Sequence, residues 1–152
     1  MNILKVLTPK RIIGNFGERK AASFLRRKGY KILERNYTAN NAEIDIIAMK
    51  ENITAFIEVK TRNIKHLGEK EARPASSVTS EKQRKIIKAA NYYYSHTRPQ
   101  TRLRFDVIEV YTEDGRLGSK VKEIKHLEGA FDLNTAFDQK YYYLRKKEGS
   151  NL

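Results

Sequence analysis

Apolar and polar residues change period several times along this chain, and the changes mark its elements. Ala21, Ala22 and Leu25 fall at i+3, i+4 and i+7 from Glu18, the spacing of one helix face. Asn15 is placed to cap that helix with Glu18 at the reciprocal position of a capping box, and Gly29 stops it. Glu18 admits two readings: it only caps, or it is carried inward on the apolar stripe and needs a partner or a metal. Residues 30–37 read as a first strand and residues 39–42 as a polar turn.

Two segments rich in β-branched and aromatic residues follow, 43–49 and 53–62, broken by Lys50, Glu51 and Asn52. Strand alternation sets Asp45 on the face away from Ile44 and Ile46, and Glu58 on one face with Lys60. A hairpin turning between Glu51 and Asn52 brings Asp45 directly opposite Glu58. Like charges so placed destabilise a sheet. A divalent cation between them removes the conflict.

Residues 63–79 hold Gly68, Pro74 and a serine pair with little periodicity, which predicts a long functional or mobile loop. Ser80 and Gln83 then open a second helix with another capping-box pattern. Its apolar stripe is Ile86, Ile87, Ala90, Tyr93 and Tyr94, and Lys82, Arg84, Lys85 and Lys88 form a basic face. Tyr92, Tyr93 and Tyr94 read as core and rim, with base stacking as the alternative. Beyond Pro99, residues 103–111 alternate as a strand, 113–116 turn, and 121–127 form a weaker last strand. The organisation expected is a basic lead-in (1–13), one α/β domain (14–131) and an extension (132–152), helical around 137–145.

Charge narrows the partner. The 152 residues carry 31 lysines and arginines against 18 acids, a formal charge of +13. That excess favours a polyanion, nucleic acid first, over a merely well-solvated surface. There is no cysteine, so thiolate zinc sites and disulfides are excluded. His66, His96 and His126 stand at no metal-ligand spacing and read as surface residues. No run approaches membrane-spanning length and no signal-peptide pattern is present, so the expectation is a cytoplasmic protein without a membrane partner.

Asp45, Glu58 and Lys60 fit a metal-dependent phosphodiesterase. Carboxylate oxygens suit Mg²⁺ or Mn²⁺, and an adjacent lysine can orient the attacking water or stabilise the crowded phosphate. Glu18, from the first helix, would complete the metal shell or bind an outer water. Arg62, Lys65, Lys70, Arg73, Lys82, Lys85 and Lys88 flank or follow this strand and are the expected nucleic-acid contacts.

Gly17-Glu18, Arg35-Asn36, Glu43-Ile-Asp45-Ile-Ile-Ala, Phe56-Ile-Glu58-Val-Lys60-Thr-Arg62, Lys82-Gln83 and Arg104-Phe105-Asp106-Val107 resemble the successive motifs of the YraN-like family. That bacterial family consists of predicted endonucleases related to archaeal Holliday junction resolvases. The resemblance covers Gly17 to about Val110, with His126 to Phe131 similar to the family's closing segment. It implies a restriction-endonuclease-like fold: a mixed central sheet flanked by helices. It also implies a catalytic set of Glu18, Asp45, Glu58 and Lys60, with Gln83 as a further candidate. The implied activity is Mg²⁺-dependent, structure-selective cleavage of DNA in recombination or repair, on branched DNA and as a homodimer. A non-catalytic nucleic-acid-binding protein of the same fold and a basic RNA-associated protein are the competing readings. One departure stands out: Ala42 occupies a position where the family usually has glycine. If that residue is left-handed, alanine there costs roughly 1 kcal/mol.

Overall fold

A computed structural model of the chain describes residues 9–67 and 78–132. The elements run α1 (Pro9–Arg27), β1 (Lys31–Ala39), β2 (Ala42–Lys50), β3 (Ile53–Asn63), a 3₁₀ turn (Ile64–His66), α2 (Ser80–Thr97), β4 (Arg102–Gly115) and β5 (Gly118–Phe131). The strands make one mixed sheet in the order β1-β2-β3-β4-β5. β1, β2 and β3 are antiparallel neighbours, β3 and β4 are parallel, and β5 returns antiparallel on β4. A parallel pair needs a crossover, and α2 lies in the segment that supplies it.

Alternation along the strands sends side chains to two cores. Ile47, Phe56, Phe105 and Val107 pack with Ile86, Ile87, Ala90 and Tyr93 of α2. Ile46, Ala48, Ala55, Ile57, Ile108 and Val110 pack with Ala21, Ala22 and Leu25 of α1. A helix therefore covers each face. This is the expected mixed sheet flanked by helices, and it is compatible with a restriction-endonuclease-like architecture.

Several sequence expectations are corrected. α1 begins at Pro9, so Asn15 lies inside the helix and does not cap it. Proline suits a first turn, where its missing N–H is not needed. The cap of α2 is Thr79, whose hydroxyl accepts from the Lys82 N–H at 3.2 Å, one residue before the serine expected. β4 and β5 are fourteen residues each, with the turn at Arg116 and Leu117, so the last strand is longer than its weak pattern suggests. The left-handed positions of the first hairpin are Asn40 (φ 51°) and Asn41 (φ 58°), as in a type I′ turn. Ala42 is already extended strand and buried, so it bears no left-handed cost. The loop expected to be mobile and the expected tail helix lie mostly or wholly outside the described residues, as do Lys70 and Arg73.

Candidate active site

The β2–β3 hairpin has the expected register, from Lys50 opposite Ile53 to Ile46 opposite Ile57. Continued by one pair, it would set Asp45 against Glu58. Pairing stops at that point. Beyond it β2 continues beside β1, down to Ala42, while β3 continues beside β4, up to Asn63. The two strands part like a fork. Alternation also breaks at Asp45: Ile44 packs in the α2-side core and Ile46 in the α1-side core, not on one shared face. The Asp45 carboxylate turns into the fork, where Oδ2 accepts the Val59 backbone N–H at 2.7 Å.

Glu58 sits on the other arm, almost wholly buried. Lys60 Nζ lies 3.2 Å from its Oε1 and Lys82 Nζ, from α2, 3.8 Å from Oε2. Oε2 accepts no hydrogen bond among the described residues. Burial pushes the Asp45 pKa up to about 8, and the neighbouring Glu58 charge pushes the same way. The Val59 N–H and Lys82 oppose the shift without cancelling it.

α1 brings the third acid. Gly17 is pressed so closely on β3 that a Cβ there would stand 1.7 Å from Thr61 Oγ1 and 3.0 Å from Thr61 Cβ. Only glycine lets the helix approach this far, and the approach sets Glu18 at the fork. Partial burial and the Glu43 charge raise the Glu18 pKa, Arg35 lowers it, and Glu58 adds a smaller upward push. The Asn36 amide, oriented to satisfy its neighbours, donates to Glu18 Oε2 at 2.9 Å and to Glu43 Oε1 at 3.2 Å. Asn36 is left-handed (φ 51°), a conformation asparagine tolerates better than most residues. Arg11, Gly14, Asn15, Glu18, Asn36, Glu43, Asp45 and Lys82 line an open cleft of about 710 Å³.

Among the described residues, no three His, Asp or Glu side chains converge as a complete metal shell. The fork still fits a hard divalent ion. Mg²⁺ is commonly held by one or two carboxylates, with water and substrate oxygens filling the remaining positions. Asp45 and Glu58 supply two carboxylates, one with an oxygen that lacks a hydrogen-bond donor.

The other expected residues separate. Lys82 belongs to the site rather than to an outer basic face. Lys85 pairs with Glu81 at 3.4 Å on the surface, and Lys65 and Lys88 are exposed. Arg62 is partly exposed, its side chain 17% accessible, with Nε 3.6 Å from the buried Glu109. The Gln83 amide nitrogen donates to the Val78 carbonyl at 3.0 Å, tying down the start of α2. Arg11, Asn15, Asn36 and Glu43 join the cleft, although the sequence pattern does not single them out as site residues. Arg11 and Asn15 stand at i−7 and i−3 from Glu18, so a helix running back to Pro9 would have revealed them.

His126 is a correction. It is no surface residue: its side chain is 10% exposed, and Nε2 lies 2.8 Å from Asp106 Oδ2. Phe24 and Tyr30 meet its ring edge-on. Asp106 also accepts from Arg104 Nε and Nη2, both at 2.8 Å, and from the Gly129 N–H at 3.0 Å.

The sequence carries this geometry in a recognisable order. The model of Uncharacterised protein family UPF0102 matches residues 17–110. The chain belongs to this family. A UPF0102 protein of Caldanaerobacter subterraneus is 40% identical over 123 residues, 80% of this chain and 96% of that one. One from Flavobacterium psychrophilum is 43% identical over 119 residues, 78% of this chain and 92% of its own. One from Clostridium perfringens is 44% identical over 121 residues, with 78% and 93% covered. The UPF0102 match holds Glu18, Asp45, Glu58, Lys60, Lys82 and Gln83, and ends before β5 and its histidine.

Proposed function

We propose that this UPF0102 protein is a metal-dependent endonuclease hydrolysing phosphodiester bonds in DNA. The observation that carries the reading is the fork, where Asp45 and Glu58 are brought together under partial dehydration with two lysines beside them. Nothing in fold stability calls for two repelling acids there. A cation and a phosphate do.

Asp45 and Glu58 would hold Mg²⁺ or Mn²⁺, with Glu18 facing them from α1. The ion would supply Lewis acidity and charge neutralisation at the phosphate. Lys60, on Glu58 in the resting site, is placed to give a proton-rich contact to a non-bridging phosphate oxygen as negative charge builds. Lys82 lines the cleft from the first turn of α2 and adds a second positive contact. Asn36 keeps Glu18 and Glu43 in one orientation. The excess of basic residues supports a nucleic-acid substrate. A preference for branched DNA and a dimeric state belong to the same proposal.

A second reading has its own support. Lys60 and Lys82 already neutralise Glu58, which would also suit a non-catalytic nucleic-acid-binding protein. The experiment is a cleavage panel of duplex, flap, single-strand and four-way junction DNA with Mg²⁺ or Mn²⁺, run beside calorimetric titration of the metal. Wild type should bind metal and cut at least one substrate. Asp45→Asn should lose cleavage by about 10³-fold or more while keeping or tightening DNA affinity. Wild type that binds DNA but shows neither metal binding nor substrate turnover would establish the second reading.

A further inference from the structure

Beyond Glu58 and Lys60 the same sheet face carries a second ionic pair. Phe56 of β3 and Phe105 and Val107 of β4 point into the α2-side core, so Glu58, Lys60 and Arg62 follow on that face of β3, and Glu109 and Tyr111 on that face of β4. The parallel register sets Lys60 beside Glu109 and Arg62 beside Tyr111. Glu109 is completely buried within a strand otherwise filled here by Val107, Ile108 and Val110. Its Oε2 accepts the Tyr111 hydroxyl at 2.6 Å, and its Oε1 stands 3.6 Å from Arg62 Nε. That Oε1 and that Nε make no hydrogen bond among the described residues.

A buried ion pair so incompletely satisfied is a poor stabiliser, and a well-packed apolar pair is often at least as good. Its effect is geometric. The carboxylate meets the guanidinium at Nε, and among the described residues Glu109 is the one carboxylate paired with Arg62. Arg62 stands two residues beyond Lys60 on the same strand face, roughly 7 Å along the sheet. Tyr111 keeps its proton throughout the working range, because burial and the Glu109 contact both push its pKa up.

We infer that Glu109, steadied by Tyr111, is a positioning residue that aims Arg62 at a backbone phosphate next to the one held at Lys60. The inference rests on the nuclease reading for its substrate class. The planar guanidinium then offers paired donors to phosphate oxygens, a geometry that lysine does not reproduce.

The test is a double-mutant cycle read by DNA binding, using a fluorescent duplex without added metal across a salt series, with thermal melts beside it. Arg62→Ala should weaken affinity about tenfold and flatten the log–log salt slope by about one. Glu109→Gln should weaken affinity several-fold, and the double variant should be no worse than Arg62→Ala alone. If Glu109→Gln fails to fold, Tyr111→Phe removes only the hydroxyl and should show a smaller loss in the same direction, with Arg62→Lys failing to restore wild-type affinity. A purely structural Glu109 would lower the melting temperature and leave affinity and salt slope unchanged, which overturns the inference. Additive losses in the cycle overturn it too. Wild type that binds DNA without cutting it defeats the nuclease reading alone and leaves the cycle to decide the aiming role; wild type without DNA affinity defeats both.

Discussion

Asp45 and Asp106 are both aspartates withdrawn from solvent on interior strands, and their surroundings differ in kind. Asp106 has its acceptor sites filled by Arg104 twice, by His126 and by the Gly129 N–H. Burial alone would raise its pKa, but those donors reverse the shift and hold it below the ordinary aspartate value. Asp45 has one backbone donor and an acidic neighbour, and its pKa climbs to about 8. Dehydration of a carboxylate therefore says little by itself. The donor inventory separates an acid that fastens the fold from one that, on the proposed function, would take a cation.

The largest effect expected from breaking this contrast is at Asp106. Asp106→Asn leaves Arg104 and His126 facing an amide at the core edge and should cost about 3–5 kcal/mol in urea unfolding. The same change at Asp45 should not destabilise the metal-free protein. Asp45 binds more protons folded than unfolded between its ordinary pKa and about 8, so the stability it lends declines as pH rises through that window. Asp45→Asn should therefore raise metal-free stability at pH 8.5 by on the order of 2 kcal/mol, seen as a melting rise of roughly 5 °C. The gain should shrink as pH falls and vanish only near the ordinary aspartate pKa. Asp106 has the opposite sign: its contribution is present above the ordinary aspartate pKa and is lost as pH falls through its lowered folded value. A melting curve of Asp45→Asn parallel to wild type across pH would contradict the poised state.

Two glycines on one helix sharpen the comparison at smaller amplitude. Gly17→Ala drives a methyl into Thr61 and should cost about 1–2 kcal/mol, after the gain in helix propensity, and reduce cleavage by displacing Glu18. A methyl added at Gly14 would meet nothing within 4 Å, so Gly14→Ala should stabilise α1 by up to about 1 kcal/mol. Thermal melts of the two variants give the sign directly.

These two aspartates also mark what the sequence makes legible. The hairpin register from Lys50 and Ile53 to Ile46 and Ile57 follows from strand period and a polar two-residue turn, both local. The parting of β2 and β3 does not, because it depends on which outer strand each arm pairs with. The Asp106 cluster is out of reach for a related reason. His126 arrives from a different strand, and a register shift between Val107 and Phe105 turns the Gly129 N–H (φ 60°) toward the carboxylate. Read one residue at a time, His126 resembles any solitary histidine. The early start of α1 is hidden because Gly14 and Asn15 look like a helix boundary, although a solvent-side glycine in a helix costs only about 1 kcal/mol.

The connectivity of the sheet bears on how the chain reaches this state. β1, β2 and β3 pair through two tight turns, so their contacts close short loops and form quickly. The parallel β3–β4 ladder waits for the chain to travel through residues 64–101, a far larger loop to close. Glu18, Asp45, Glu58 and Lys60 all precede that crossover, whereas Lys82 arrives with it. Closing in that order would gather the acids before α2 brings Lys82 to them. On the proposed function, divalent ions should then slow unfolding more than they speed folding, because the site with Lys82 would be completed late.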